Sequence, residues 1–307
     1  MKKFNLISLT TLVVALLFTP IAHADSLSVN FEQPTYSTGS ISGQDGWGNA
    51  VNPAYDQAVV SNSYGYLSFG AQTFRMSDKV ASGSFGDWVF VKPLTNSVGE
   101  TVSTNGSFAP GTKQNHFEMQ FDIASTLPGE QVGMHMSVSP DRGDGSRMSF
   151  LRFDDMSDGI HVIFSDVNNP GPVGTVSTFN LEDIATISRT VHTIKLTLDV
   201  IDGPSNDVVK VYVDGVLKKT GKSWEDYYRY DPEAIAEQSP RIVKTMIMQV
   251  RGSSNPGNAG NGFLFDNINL SSGPIPVDPF AVPVACSDIQ FSGAPIVGTN
   301  GSDSING

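Results

Sequence analysis

Residues His192 to Gly215 read HTIKLTLDVIDGPSNDVVKVYVDG. Ile194, Leu196, Leu198 and Val200 alternate with Thr193, Lys195, Thr197 and Asp199. A period of two puts successive side chains on opposite faces of a strand, so one face is apolar and the other polar. The run Asp202-Gly203-Pro204-Ser205-Asn206-Asp207 breaks the alternation with turn-forming residues. Val209, Val211 and Val213 restore it, and Asp214-Gly215 is a tight-hairpin signal. Two half-buried strands joined by a polar loop form an antiparallel unit.

The same pattern recurs outward from this hairpin. Asp25 to Phe31 reads as a first strand, with short strands at Ala58 to Val60, Tyr66 to Phe69, Phe74 to Ser77 and Trp88 to Val91. Phe117, Met119, Phe121 and Ile123 alternate with Glu118, Gln120 and Asp122. Val132, Met134, Met136 and Val138 alternate with Gly133, His135, Ser137 and Ser139. Arg147 to Phe153 and Ile160 to Phe164 follow after short Gly- and Asp-rich turns. Short connections predict that these four pair in order as an antiparallel meander. Glu182 to Ser188 is the one predicted helix, and Phe263 to Leu270 (FLFDNINL) is the last strand. About ten short strands with Gly- and Asn-rich turns predict an all-β sandwich.

The strand, polar loop and strand ending in YVDG resemble the central hairpin of concanavalin A-like (laminin-G-like) jelly rolls. FLFDNINL resembles the closing strand of many carbohydrate-binding jelly rolls. SWEDYYRYDPE (residues 223–233) together with NAGNGFLFDNINL is similar to a group of exported bacterial proteins with a concanavalin A-like module. The resemblance spans nearly all of residues 25–271. It implies an all-β, concanavalin A-like jelly-roll sandwich of two antiparallel sheets.

Residues 1–24 have the form of a secretory signal peptide: Lys2 and Lys3, an apolar core from Leu12 to Phe18, and the small-residue site Ala22-His23-Ala24. The apolar run is too short to span a bilayer, so the expectation is a secreted protein without membrane insertion. Losing Lys2 and Lys3 takes the net charge from −12 to −14. Such an acidic chain is a poor partner for nucleic acid or anionic membranes, and neutral glycans or divalent cations suit it better. Residues 272–284 read as a proline-rich linker. In the tail, 285–307, the run from Gly298 to Gly307 resembles the first turn of an RTX-type calcium-binding repeat, with Asp303 at the acidic position and Thr299 replacing a glycine. Cys286 is the lone cysteine, so the chain holds no internal disulfide.

Three groups could carry chemistry. The first is the polar side of the meander. There Glu118 and Asp122 are expected to share one face with His135 and Arg147 or Arg152. Jelly-roll glucanases place Glu-x-Asp-x-Glu, or a variant of it, on such a strand. Here Gln120 replaces the middle residue and Asp122 the last. Residues i and i+4 on a strand lie roughly 13 Å apart, whereas a retaining carboxylate pair needs about 5–5.5 Å. The alternative for this face is plain solvation. A polysaccharide lyase would instead use cations against a uronate and a His or Tyr base, types supplied by Arg147, Arg152, His135, His161 and Tyr227.

The second group is Trp224, Tyr227, Tyr228, Arg229 and Tyr230, as a stacking platform for sugar rings or as a buried cap on the sandwich. The third is calcium. Carbohydrate-binding jelly rolls often join first and last strands through Ca²⁺, which places Glu32 and Asp266 as ligands. Asp141 and Asp144 are a rival pair, within what also reads as a simple hairpin turn. The sequence has no H-E-x-x-H, phosphate loop or G-x-S-x-G. The reading is a secreted, non-catalytic glycan-binding or adhesion module with a polysaccharide or cell-surface glycan as partner. A polysaccharide-cleaving enzyme of the same fold and a structural domain of a longer RTX-type surface protein are the alternatives.

Overall fold

The computed structural model describes residues 24–48, 55–82, 87–100, 114–237 and 241–276. Residues 1–23 of the segment read as a signal peptide, most of the residues read as a proline-rich linker, Cys286 and the tail with Asp303 lie outside the described residues.

In chain order the strands are β1 (Asp25–Val29), β2 (Gly39–Ser40), β3 (Gln57–Ser61), β4 (Gln72–Met76), β5 (Val89–Phe90) and β6 (Val98–Gly99). They continue with β7 (His116–Ser125), β8 (His135–Asp141), β9 (Leu151–Met156), β10 (Gly159–Asn168), β11 (Thr178–Ile187) and β12 (His192–Asp199). Last come β13 (Val208–Val213), β14 (Val216–Gly221), β15 (Ile242–Val243), β16 (Thr245–Arg251) and β17 (Phe263–Gly273). Two short helices, α1 (Glu225–Tyr230) and α2 (Pro232–Glu237), separate β14 from β15.

A nine-stranded sheet runs β14-β13-β12-β7-β17-β4-β3-β2, with β1 also paired to β17. A six-stranded sheet runs β11-β10-β9-β8-β16-β5. Pairing within both sheets is antiparallel. This is the all-β, concanavalin A-like jelly-roll sandwich that the sequence implied. First and last strands meet as that architecture requires, with Val29 opposite Ile268.

The core lies between the sheets. Phe117, Met119, Phe121 and Ile123 of β7 and Ile194, Leu196 and Leu198 of β12 are fully buried there. Across the gap, Phe121 meets Phe153 edge-on at 6.0 Å. Each such side chain contributes roughly 1.5–3 kcal/mol by leaving water. Trp47, in the glycine-rich loop after β2, packs 5.2 Å from Phe74 and donates from Nε1 to Tyr36 Oη at 3.1 Å.

Three local expectations are corrected. β7 does not lead the meander: it sits between β12 and β17 in the nine-stranded sheet, and the meander is β8-β9-β10-β11 in the other. The nine residues after Ser125 carry the chain from one sheet to the other. Alternation looks the same in either sheet, so it could not report the crossing. Residues 178–187 form edge strand β11 rather than a helix. Most of β11 is exposed, which removes the apolar period that marks a strand. Leu67–Phe69 is a 3₁₀ turn rather than a strand.

Candidate functional site

The outer face of the six-stranded sheet is built by alternation. β8 turns Met136 and Val138 into the core, β9 turns Leu151 and Phe153, and β16 turns Met246, Met248 and Val250. That leaves His135 and Ser137, Arg152 and Asp154, and Gln249 and Arg251 on the far side. Register then aligns them in two rows. Arg251 is opposite His135, and His135 opposite Asp154. Gln249 is opposite Ser137, and Ser137 opposite Arg152.

This face is walled. Trp224 leads into α1, and its ring stacks on Phe150 at 6.1 Å. Phe179 of β11 meets Trp224 at 4.9 Å and Tyr227 at 5.6 Å. Together they enclose a cavity of about 650 Å³ with a floor of His135, Arg147, Arg152 and Arg251. Among the described residues, Glu233 is the one carboxylate in its lining. The volume is within the ~300–1,000 Å³ usual for ligand sites.

Arg152 is paired with Asp154, and Arg147 lies within reach of the charges of Asp141 and Asp87. Gln249, buried on β16, accepts from Arg147 Nη2 at 2.5 Å and from Arg251 Nη1 at 3.4 Å through its Oε1. Its Nε2 donates to Asp87 Oδ1 at 3.0 Å, which fixes the amide's orientation. Both guanidinium carbons lie 5.7 Å from the Phe150 ring centre. A neutral amide thus helps to position two cations side by side. Burial, and then the charge of Arg251, pull the Arg147 guanidinium down to about 10, still protonated at neutral pH.

Asp154 serves the other half of the floor. It approaches Arg152 Nη2 to 2.7 Å and His135 Nδ1 to 3.0 Å. The histidine contact is a charge approach rather than an aligned hydrogen bond. His135 is 42% exposed and Arg152 29% exposed, so both can meet a ligand.

The cavity therefore gathers His135, Arg147, Arg152, Trp224 and Tyr227. It does not include Glu118 and Asp122, which project from β7 on the opposite sheet. Glu118 faces Lys195 at 3.6 Å. Asp122 accepts from Thr193 Oγ1 at 2.6 Å and Asn267 Nδ2 at 2.8 Å. The shared face expected for Glu118 and His135 is corrected, because the crossing after β7 separates them. His161 lies in the His135–Asp154 row, engaged by Asp158 and Asp183.

The aromatic run divides. Trp224 and Tyr227 line the cavity. Tyr228 is buried and donates from Oη to the Arg147 carbonyl at 2.8 Å, so it supports the floor from behind. Arg229 is an internal strut to Glu100 and Glu225. Tyr230 is half-buried and packs by Gly171. Helical periodicity in α1, not strand periodicity, sets which aromatics turn outward. Gln249, Arg251, Phe179 and Asp154 were missed. Gln249 and Arg251 stand two apart in MIMQVR, an alternating run that carries its own signal.

Glu32 and Asp266 are close enough to repel each other. Glu32 Oε1 accepts from the backbone N–H groups of Ala71 and Gln72 at 2.6 and 3.1 Å. Asp266 accepts from the Asn267 N–H at 2.7 Å, while its buried Oδ2 has no hydrogen-bond partner. Among the described residues no three His, Cys, Asp or Glu side chains converge to hold a metal. Asp141 Oδ1 accepts from three backbone N–H groups of its own turn, and Asp144 pairs with Arg142.

No protein-family profile matches the sequence, and no curated protein matches it. Solved structures with partial likeness include a sialidase at 11% identity, over 73% of this chain and 17% of that one, TM-score 0.33. Another is a botulinum neurotoxin serotype D binding domain at 16%, over 70% and 41%, TM-score 0.34. A third is an alginate lyase of polysaccharide lyase family 7 at 13%, over 70% and 81%, TM-score 0.34. This chain thus spans less than half of the first two. Identity and overlap are low, so the chemistry has to be read from the cavity itself. Among the described residues no helix is long and apolar enough to cross a membrane.

Proposed function

We propose that the cavity on the six-stranded sheet binds an acidic polysaccharide, presented to an exported protein. The observation that supports this is the convergence of Arg147, Arg152 and Arg251 with an aromatic wall, in a chain whose net charge is −12. Guanidinium groups recognise carboxylates through paired N–H donors. Indole and phenol rings offer sugar rings a flat apolar surface. The local charge redirects the expectation from neutral to acidic glycans. Affinity electrophoresis against polygalacturonate, alginate and a neutral glucan tests it. Retention by the acidic gels, weakening with salt, is expected; equal retention by all three, or by none, overturns it.

A second reading, lyase-type cleavage, is favoured by one further observation: His135 and Tyr227 line the same cavity as the arginines. In such an elimination the guanidiniums offset the uronate's charge and make its C5 proton more acidic. A base, His135 or Tyr227, takes that proton. The electron pair forms the C4–C5 double bond, the C4–O bond breaks, and a proton passes to the leaving oxygen. Release of unsaturated oligosaccharides that stops in His135→Ala would support cleavage, and its absence would leave binding alone.

Calcium at Glu32 and Asp266 is a separate proposal, supported by the orphaned Asp266 Oδ2. Backbone carbonyls would have to supply most of the six to eight oxygens that calcium needs. A rise in melting temperature with millimolar calcium tests it.

A further inference from the structure

The arginine cavity does not end at Tyr227. A second depression, about 250 Å³, shares Arg147, Trp224, Tyr227 and Glu233 with it and continues to Trp88. A third, about 440 Å³, shares Trp88 and Asp144 with the second and reaches Phe90 and Lys244. The lining runs from edge strand β11 to edge strand β5, five strand spacings apart. At about 4.8 Å each, that is roughly 24 Å across the sheet.

Trp88 stands at the middle of this path. Its half-buried indole lies 5.5 Å from the Phe90 ring. It rests over Gly145, where a Cβ would come within 2.0 Å of the ring. Gly145 also has φ +96°, a conformation that side chains disfavour. Glycine there leaves the space that the indole occupies. Charge is placed at both ends. Three arginines occupy one end, and Lys244 lines the other, where Asp144 is already paired to Arg142.

We propose that these depressions are consecutive subsites of one groove, and that its ligand is an extended acidic polysaccharide chain. The chain enters at the arginines, crosses Trp88 and sets a second carboxylate near Lys244. This rests on the acidic-glycan reading of the arginine cavity. A single uronate would need only the first cavity, so the groove selects for length as well as charge.

Calorimetric titration of the whole protein with oligogalacturonates from dimer to octamer tests this. Affinity is expected to climb with length, by about tenfold or more beyond the dimer. Trp88→Ala and Lys244→Ala should each erase most of that gain and leave the dimer's affinity unchanged. Lys244→Ala removes no core packing, so it reports even if Trp88→Ala lowers the melting temperature. A flat length series, with dimer binding still lost in Arg152→Ala, overturns the groove and keeps the cavity. Loss of dimer and octamer affinity alike in Lys244→Ala also overturns it. Failure of every length to bind overturns the cavity reading and the groove with it.

Discussion

The outer faces of the two sheets come from the same alternating pattern and end in opposite chemistry. On the nine-stranded sheet, Glu118 and Lys195 are each about a third exposed and oppose each other at 3.6 Å. That is a solvated pair, of the kind that contributes about 0–1 kcal/mol. On the six-stranded sheet, Gln249 is 3% exposed although it too points away from the core. Trp224, Phe179 and α1 wall that face, and the enclosed guanidiniums act where water screens them less. A strand's period decides which residues leave the core. What covers them afterwards decides whether they form a site.

The largest expected effect separates the faces directly. Arg152→Ala should weaken binding of an acidic polysaccharide by roughly ten- to a hundredfold, the range for a lost charged hydrogen bond. Glu118→Gln, on the other face, should change it less than about twofold. Isothermal titration of both variants checks the contrast, and a larger loss from Glu118→Gln would reverse the assignment of faces. Gln249→Glu probes the same cavity without emptying it. A carboxylate there would neutralise Arg147 and Arg251 and repel Asp87, so affinity should fall by about tenfold. The dependence of binding on salt should become shallower.

The sequence disclosed the sandwich because burial and periodicity are local. Each of β7, β12 and β13 shows its inward residues in a window of a few positions, and those residues are buried. Strand order is not local. Nothing in residues 126–134 announces that the chain leaves the nine-stranded sheet, so Glu118 and His135 looked like neighbours. The candidate site was half legible for the same reason. Arg147, Arg152, His135, Trp224 and Tyr227 were marked by residue type. Gln249 and Arg251 come from a strand over a hundred positions away, and only pairing with β8 brings them in. Of the aromatic run, Tyr228 turned inward because α1 rotates its side chains by helical steps.

That division gives a second contrast. Trp224→Ala should reduce affinity by about 1–3 kcal/mol, in line with other aromatic platforms. Tyr228→Phe removes only the hydroxyl that bonds the Arg147 carbonyl. It should cost about 1 kcal/mol of stability, seen in urea unfolding, and leave affinity nearly unchanged. If Tyr228→Phe proves as damaging to binding as Trp224→Ala, the hydroxyl behind the floor matters to the ligand after all.

The last contrast belongs to the nine-stranded sheet, where Asp266 lies among other carboxylates. Asp266 lies directly opposite Asp122 across β17 and β7. Burial first, then the charges of Glu32 and Asp122, push its carboxyl up to about 8. An unfolded aspartate titrates near 3.9. Between those values the folded chain keeps a proton that the unfolded chain has released. Asp266 therefore contributes its full stabilisation below about pH 4 and loses it as pH rises through about 8. Burial raises Asp207 and Glu225 in the same direction, so Asp266→Asn should flatten the decline between pH 4 and 8 without abolishing it. The readout is melting temperature against pH, which should fall less steeply between about pH 4 and 8 in Asp266→Asn than in the unmodified protein. Calcium sharpens the test. A cation held by Glu32 and Asp266 would favour the ionised carboxylate and remove Asp266's share of the decline in the unmodified protein. If millimolar calcium leaves the profile as it was, these carboxylates stand as a repelling pair. An unchanged slope in Asp266→Asn would instead deny that Asp266 carries the raised titration.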